Sequence, residues 1–286
     1  MNINEKKILN KKRVITGIIY ALIIILSLFY DPLKNSLPFF LLILIFTVLG
    51  NYEFYNITKS TGNKPYITLG LILSAILSIG IYIFGVGFFS FILPLSMIII
   101  FITSFLIRFE ERSAIDSFIT LTGLFYFPLI NFSVLIHQMD SGKFLLLLVF
   151  LGTWAYDTFA YLIGSKFGKV KLSPRVSPLK TVEGAIGGFV GSFIAIILLG
   201  GITNLIINNN WGYDIFKLPI NLLILFSLLI SIFAQLGDLA ESYIKRKFSV
   251  KDSGTIFPGH GGLLDRCDSL IFTIIMSYWF FKHFIV

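Results

Sequence analysis

The chain has 286 residues, of which 56% are hydrophobic and only 13% are charged, and its formal net charge at pH 7 is +8. Because a soluble domain carries about 25% charged residues, this composition excludes a soluble enzyme and predicts an all-α, polytopic integral membrane protein. Its single cysteine, Cys267, excludes an intrachain disulfide.

Apolar segments near the roughly 20 residues that a helix needs to cross a bilayer predict about nine transmembrane helices. They cover approximately residues 14–29, 37–50, 65–84, 86–107, 114–137, 143–163, 182–206, 216–238 and 267–285. The second segment is short, and we expect it to extend into 51–57. No small-residue cleavage site follows the first segment, which predicts an uncleaved helix rather than a signal peptide.

The distribution of basic residues predicts the orientation in the membrane. Nineteen of the 23 lysine and arginine residues lie in alternate connecting segments, which we assign to the cytoplasm: 1–13, 51–64, 108–113, 164–181 and 239–266. This bias predicts an inner (cytoplasmic) membrane protein with its N-terminus and polar surface in the cytoplasm and its C-terminus outside.

Polar residues are unevenly distributed along the chain. Helices 1–5 have short, lightly charged links, whereas the last four helices enclose two strongly basic cytoplasmic loops. We therefore predict an N-terminal transmembrane scaffold over 1–142 and a C-terminal catalytic half over 143–286.

The cytoplasmic end of the eighth helix carries polar residues at helical spacing. Asp238, Glu241, Ser242 and Lys245 recur at i, i+3, i+4 and i+7, which places them on one helix face. Two carboxylates on one face at the lipid–water boundary suggest a cation site. The alternative is a solvated helix end with a Glu241–Lys245 pair.

A glycine-rich turn follows a basic loop. The loop contains Lys245, Arg246, Lys247 and Lys251, and such loops also arise from topology and anionic headgroups alone. The three glycines of Pro258–Gly262 exclude regular helix and allow close backbone approach to a ligand.

Two aspartates come directly after this turn, in the predicted first turn of the ninth helix. Helix N-termini favour anions and bind phosphate, so Asp265 and Asp268 suggest a metal ion that bridges carboxylate and phosphate oxygens, as Mg²⁺ does. The alternative is that these aspartates only cap the helix.

A further acid lies inside the sixth predicted helix. Asp157 lies one to two turns from the cytoplasmic face, where an acidic residue is a functional candidate by default; the alternative is a structural partner for a lysine or arginine across the bundle. In the next loop, Ser177-Pro178 predicts a turn, and Lys180 and Glu183 are expected to begin the seventh helix. All these polar groups are expected at the same membrane surface.

The stretch from Ser242 to Asp268 resembles a known signature. Its pattern is Ser-x-Ile-Lys-Arg-x₄-Lys-Asp-x-Gly-x₂-Phe-Pro-x-His-Gly-Gly-Leu-x-Asp-Arg-Cys-Asp, which is similar to that of the phosphatidate cytidylyltransferases, or CDP-diacylglycerol synthases. Cys267 departs from the family, which has an aliphatic residue or threonine there. The segments around Asp157 and from Ser177 to Gly184 also resemble that family's polar motifs, so the resemblance covers 143–286.

The resemblance implies that CTP and phosphatidic acid react to give CDP-diacylglycerol and pyrophosphate, in phospholipid biosynthesis. It implies Mg²⁺ with Asp238 and Asp265 as ligands, a second cation for which K⁺ is the candidate, nine helices and a homodimer in the lipid bilayer. No nucleic-acid partner is expected.

The individual roles are hypotheses that combine this resemblance with phosphate chemistry. The expected catalytic residues are Asp265, Asp268, His260, Lys245, Arg246 and Lys251. The expected substrate-binding residues are Lys180, Glu183, Ser177, Asp157, Ser242, Arg266, Gly261 and Gly262.

Two alternatives remain at this stage. A CTP-dependent polyprenol or phytol kinase would act on an alcohol and leave CDP. A transporter would place its polar residues near the middle of the membrane, whereas the polar residues here are predicted at one face.

Overall fold

A computed structural model describes residues 3–107, 110, 112–207, 220–256 and 261–285. Its helices are α1 (Ile3–Phe29), α2 (Leu37–Lys59), α3 (Ile67–Phe84), α4 (Val86–Ile107), α5 (Ser113–Tyr126), α6 (Phe132–His137), α7 (Gly142–Phe167), α8 (Val182–Ile207), α9 (Ile220–Lys247) and α10 (Leu264–Phe284). A 3₁₀ helix, Phe127–Asn131, joins α5 to α6, and two strands, β1 (Lys171–Ser173) and β2 (Ser177–Thr181), lie between α7 and α8.

The helices confirm the prediction of an all-α polytopic membrane protein. In the described part of the chain, seven helical segments are long and apolar enough to cross a membrane, and Ile15–Phe29 is a shorter apolar helix. The 3₁₀ turn makes α5 and α6 one continuous span, Ser113–His137. Each predicted apolar segment therefore corresponds to one helical segment, and α2 extends to Lys59 as expected.

Several hydroxyl groups inside the bundle are satisfied within their own helices. The hydroxyls of Ser74, Thr153 and Ser227 each donate to the carbonyl four residues earlier, at 2.7, 2.8 and 2.8 Å. Since lipid offers no hydrogen-bond partners, apolar segments form helices that satisfy their own backbone and hydroxyl groups.

The loop between α7 and α8 differs from the prediction. Strands β1 and β2 pair antiparallel, with Lys171 opposite Thr181 and Ser173 opposite Ser177, and the turn is at 174–176. The prediction of a turn at Ser177-Pro178 was wrong, because the second strand of a two-stranded ribbon has an outer edge that tolerates a proline without an N–H. Lys180 lies on β2, so it does not begin the helix, which starts at Val182.

The chain forms two compact units. The first unit comprises Met1–Leu135 and Ile244–Cys267, and the second comprises Ile136–Tyr243 and Asp268–Val286. Buried Phe39, Tyr55 and Leu77 belong to the core of the first unit, and buried Leu145 and Phe226 to that of the second. Most of the signature stretch therefore groups with the N-terminal helices, while the functional division at 142/143 stays a prediction.

Candidate active site

Asp265 organises the signature loop in the first unit. Its Oδ1 lies 2.6 Å from Lys245 Nζ, an ion pair in which the two side chains are 7% and 15% exposed. Its Oδ2 accepts hydrogen bonds from Ser253 N at 2.9 Å, Ser253 Oγ at 2.9 Å and Gly262 N at 2.8 Å. Both carboxylate oxygens are thus engaged, and they tie the end of α9, the loop and the start of α10 together.

A second carboxylate, from helix α2, supports the same loop. Glu53 is 4% exposed; its Oε2 accepts a hydrogen bond from Leu264 N at 2.8 Å and lies 3.1 Å from Ser253 Oγ. The first N–H groups of a helix have no partner inside the helix, so Glu53 caps α10 from a distant part of the sequence.

The signature glycines make room for these carboxylates. Gly261 has a φ of +87°, which side chains rarely adopt, and a Cβ on it would clash with Asp265 Oδ2. A Cβ on Gly262 would clash with Ser253 Oγ and Glu53 Oε2. The backbone at these glycines therefore comes close to carboxylates of the protein itself. The predicted role of Gly261 and Gly262 in substrate binding stays a prediction.

The second unit contains another lysine–carboxylate pair. Lys180 Nζ on β2 lies 2.6 Å from Asp238 Oδ2 on α9, with the side chains 18% and 35% exposed. Ser242 Oγ, one turn further along α9, is 3.4 Å from Asp238 Oδ1. Helix α9 continues to Lys247, which confirms that Asp238 and Ser242 lie on one helix face.

Two further acids lie near this pair. Asp157 on α7 accepts a hydrogen bond from Ser269 Oγ at 3.3 Å, and Asp238, Asp268 and Lys180 are close enough to interact with it electrostatically. The second unit therefore brings together three predicted aspartates and one predicted lysine, from α7, β2, α9 and α10.

The remaining predicted residues have different surroundings. Glu183 accepts hydrogen bonds from the backbone N–H groups of Lys169 at 3.0 Å and Val170 at 3.2 Å, so it fixes the entry to the hairpin. Ser177 lies on β2 and is half-buried. Glu241 is buried, which contradicts the solvated helix end that we considered as an alternative.

Three predicted cations are exposed to solvent. They are Arg246 at the end of α9, Lys251 in the loop and Arg266 in the first turn of α10. Their accessibility suits contact with an anionic substrate, and their roles stay predictions. His260 lies outside the described residues.

Sequence reasoning missed Glu53 and Ser253. The rule that marks an intramembrane acid as a functional candidate identified Asp157 and would have identified Glu53 as well. It was not applied there because residues 51–64 were assigned to a cytoplasmic connecting segment. The signature accepts any residue at position 253, so the pattern gave no reason to select Ser253.

The described residues contain no group of three or more His, Cys, Asp or Glu side chains arranged to hold a metal ion. The donors present are still those that Mg²⁺ prefers, namely carboxylate oxygens, and two of them already bind ammonium cations at 2.6 Å. Mg²⁺ is usually bound by one or two carboxylates together with substrate phosphates and water, rather than by an all-protein cage. The residues therefore fit a metal that arrives with a phosphate substrate.

Comparison with known proteins identifies relatives over nearly the whole chain. The profile of the cytidylyltransferase family matches residues 11–284. A protein of Bacillus subtilis called phosphatidate cytidylyltransferase is 30% identical over 280 residues, which cover 94% of this chain and 96% of the relative.

Shorter and closer matches bear the same name. The phosphatidate cytidylyltransferase of Thermotoga maritima is 42% identical over 143 residues, covering 50% of this chain and 51% of the relative. That of Staphylococcus haemolyticus is 45% identical over 145 residues, covering 51% and 52%. The matched stretch therefore spans about half the length of these two relatives.

Proposed function

The chain belongs to the cytidylyltransferase family, and from this membership we propose that it transfers the cytidylyl group of CTP to phosphatidic acid. The products are CDP-diacylglycerol and pyrophosphate. The phosphate of phosphatidic acid attacks the α-phosphorus of CTP, and the bond from that phosphorus to the β-phosphate oxygen breaks.

The observation that supports this reaction best is the pair of lysine–carboxylate contacts, Lys245–Asp265 and Lys180–Asp238, each at 2.6 Å. The reaction brings two polyanions together, so it needs positioned cations more than a strong base. Each carboxylate contacts a lysine of a motif that carries the family resemblance: Lys245 in the signature and Lys180 in the segment from Ser177 to Gly184. Both lysines are mostly shielded from solvent, and salt screens the attraction between a shielded ammonium group and a phosphate less strongly.

Mg²⁺ is the proposed metal, with Asp238 and Asp265 as candidate ligands. When bound, the ion would neutralise phosphate charge and polarise the phosphoryl group for attack. Asp157 and Asp268 would supply further carboxyl oxygens for a cation bound in the second unit. K⁺ is the proposed second cation, on the same preference of hard cations for oxygen ligands.

The exposed cations complete the proposed substrate contacts. Arg246, Lys251 and Arg266 would bind the triphosphate and the leaving pyrophosphate, and Lys180 and Ser242 would bind phosphate oxygens beside Asp238. His260 is proposed to donate to a phosphate oxygen. Ser177, Glu183 and the two glycines would hold the backbone that surrounds the substrates.

The membrane context is also part of the proposal. A polytopic chain can accept a lipid substrate sideways from the bilayer, which suits phosphatidic acid. We propose an inner membrane location with the N-terminus in the cytoplasm, on the strength of the basic-residue bias, and a homodimer. Cysteine labelling from each side of the membrane and cross-linking in membranes test these two points.

A product assay tests the reaction. Detergent-purified protein is supplied with phosphatidic acid, CTP labelled at the α-phosphorus and Mg²⁺, with EDTA and ATP controls. We expect label in a chloroform-soluble lipid, release of pyrophosphate and inhibition by EDTA. Formation of CDP with a polyprenol or phytol, and no lipid label from phosphatidic acid, would instead identify a lipid kinase and overturn the proposal.

A further inference from the structure

Glu53 is a buried acid inside a membrane-spanning helix. It belongs to the candidate span Leu37–Lys59 and is 4% exposed. Burying a carboxylate in such a helix costs free energy unless it is well partnered. Its position therefore needs a reason, and its hydrogen bonds indicate one.

The two carboxylate oxygens of Glu53 are used differently. Oε2 accepts a hydrogen bond from the backbone N–H of Leu264 at 2.8 Å and lies 3.1 Å from Ser253 Oγ, whose one proton it shares with Asp265. Oε1 is buried and has no hydrogen-bond partner among the described residues. Glu53 thus contacts the loop and the start of α10 through one carboxylate oxygen, Oε2.

Ser253 connects Glu53 to Asp265. Its hydroxyl oxygen lies 3.1 Å from Glu53 Oε2 and 2.9 Å from Asp265 Oδ2, and its backbone N–H donates to the same Asp265 oxygen at 2.9 Å. The backbone N–H of Asp265 lies 3.3 Å from Ser253 Oγ. A displacement of Ser253 or of the first residue of α10 therefore changes the orientation of the Asp265 carboxylate.

We propose that Glu53 is a positioning residue for Asp265, acting through Ser253 and through the N-terminus of α10. It contacts neither substrate nor metal in this scheme; it fixes the loop and the start of α10, and with them the Asp265 carboxylate that contacts Lys245. The kinetic part of the proposal depends on the proposed cytidylyl transfer, whereas the structural part does not.

The test uses three substitutions in the full-length protein. Glu53→Gln keeps an acceptor oxygen for Ser253 and Leu264 and removes the charge, whereas Glu53→Ala removes the acceptor. Ser253→Ala breaks the connection between Glu53 and Asp265, and it does so at a loop position, where a substitution is less damaging to folding. We expect Glu53→Ala to lower kcat/KM about 100-fold, the effect of a displacement near 1 Å at a reacting centre. Glu53→Gln should stay within about fivefold of wild type, since a neutral acceptor forms the same bonds more weakly.

Asp116 provides the matched control. It is 5% exposed, belongs to the span Ser113–His137 and accepts a backbone N–H bond from Lys64 at 2.8 Å, outside the signature segment. Asp116→Ala and Asp116→Asn therefore report the general effect of removing a buried acceptor or a buried charge from this bundle. We expect both variants to have lower thermal stability. The protein that remains folded should keep the kcat of wild type and the same dependence of activity on Mg²⁺ concentration.

Amide hydrogen exchange of the substrate-free protein gives a second, activity-independent measurement. Exchange at Leu264 and across 251–256 should become about tenfold faster in Glu53→Ala than in wild type, and much less so in Glu53→Gln, because local opening follows the loss of the capping bond. The double variant Glu53→Ala/Ser253→Ala should show less than the sum of the two single effects, since both act on one network.

Three results would overturn the proposal. One is normal turnover by folded Glu53→Ala. Another is a Glu53→Gln variant that is as inactive as Glu53→Ala although its amide exchange at Leu264 equals that of wild type. That result would show that the loss of activity comes from the missing charge and not from a displaced loop. The third is equal exchange in Glu53→Ala and wild type. If wild type itself makes no lipid product, the cytidylyl-transfer proposal fails, and the exchange arm still decides the structural role of Glu53.

Discussion

The two lysine–carboxylate pairs have the same N···O distance and very different surroundings. In the first unit, Asp265 is 7% exposed and accepts three hydrogen bonds besides its contact with Lys245. In the second unit, Asp238 is 35% exposed, and its one polar contact with a described side chain besides Lys180 is a long one, 3.4 Å to Ser242. The first carboxylate is enclosed by the protein, whereas the second has accessible oxygen surface.

This difference separates the functions of two aspartates that the family resemblance predicts alike as Mg²⁺ ligands. Asp265 can act as a metal ligand only if it exchanges one of its present hydrogen bonds, so its first contribution is to hold the loop and Lys245. Asp238 can accept a further cation without breaking a strong bond, since its Oδ1 makes only the long contact with Ser242 among the described residues. We infer that Asp238 is the more accessible of the two candidate Mg²⁺ ligands.

The largest effect is expected for Asp265→Asn. It should lower turnover about 1000-fold, at the upper end for removing one positioned electrostatic group. It should also destabilise the protein by about 3 kcal/mol, because it removes the negative charge that contacts the mostly buried Lys245 ammonium. Turnover and thermal unfolding in detergent measure the two effects. Asp140→Asn, at an exposed aspartate between α6 and α7, is the control, and near-normal turnover of Asp265→Asn would contradict the assignment.

Asp238→Asn should affect activity while leaving stability almost unchanged. We expect turnover to fall about 100-fold and the Mg²⁺ concentration for half-maximal rate to rise. The free energy of unfolding should change by less than about 1 kcal/mol, since a pair this exposed is screened by solvent. A titration of activity with Mg²⁺, together with thermal unfolding, checks both. A loss of stability equal to that of Asp265→Asn would remove the contrast between the two pairs.

Double-mutant cycles measure the contrast directly. Lys245→Met with Asp265→Asn should give a coupling energy of about 2 kcal/mol in stability, and Lys180→Met with Asp238→Asn less than about 0.5 kcal/mol. The physical reason is the lower exposure of the first pair. Thermal or denaturant unfolding of the single and double variants provides the values, and equal coupling energies would show that exposure does not distinguish the pairs.

Hydrophobicity predicted the helices because lipid leaves the backbone few alternatives. A long apolar segment must satisfy its N–H and C=O groups internally, and it does so as a helix; hence the span Ser113–His137 was predicted although a 3₁₀ turn interrupts it. The hairpin between α7 and α8 was not predicted. Its strands are short and polar, and it is fixed by contacts such as that of Glu183 with the backbone of Lys169, which no local pattern reveals.

The signature identified the chemical groups of the site but not their packing. It marked Lys245 and Asp265, whose mutual contact spans only 20 positions. It could not reveal Glu53, which reaches Ser253 across 200 positions of sequence. Nor could it show that Asp265 is enclosed and Asp238 accessible, because exposure depends on which helices pack around each carboxylate.

The smallest effect is expected for Cys267→Ala. Cys267 is fully buried, and its Sγ lies 3.6 Å from Tyr20 Oη of α1. It follows Asp265 by two positions on α10, about 200° around the helix, so it packs on a different face from the carboxylate. The loss of a weak contact and a small volume should lower stability by about 1 kcal/mol and leave turnover within about threefold. Thermal unfolding and the product assay test this. Loss of activity without loss of stability would show that this face of α10 also controls Asp265, and that the enclosure of the first pair extends to α1.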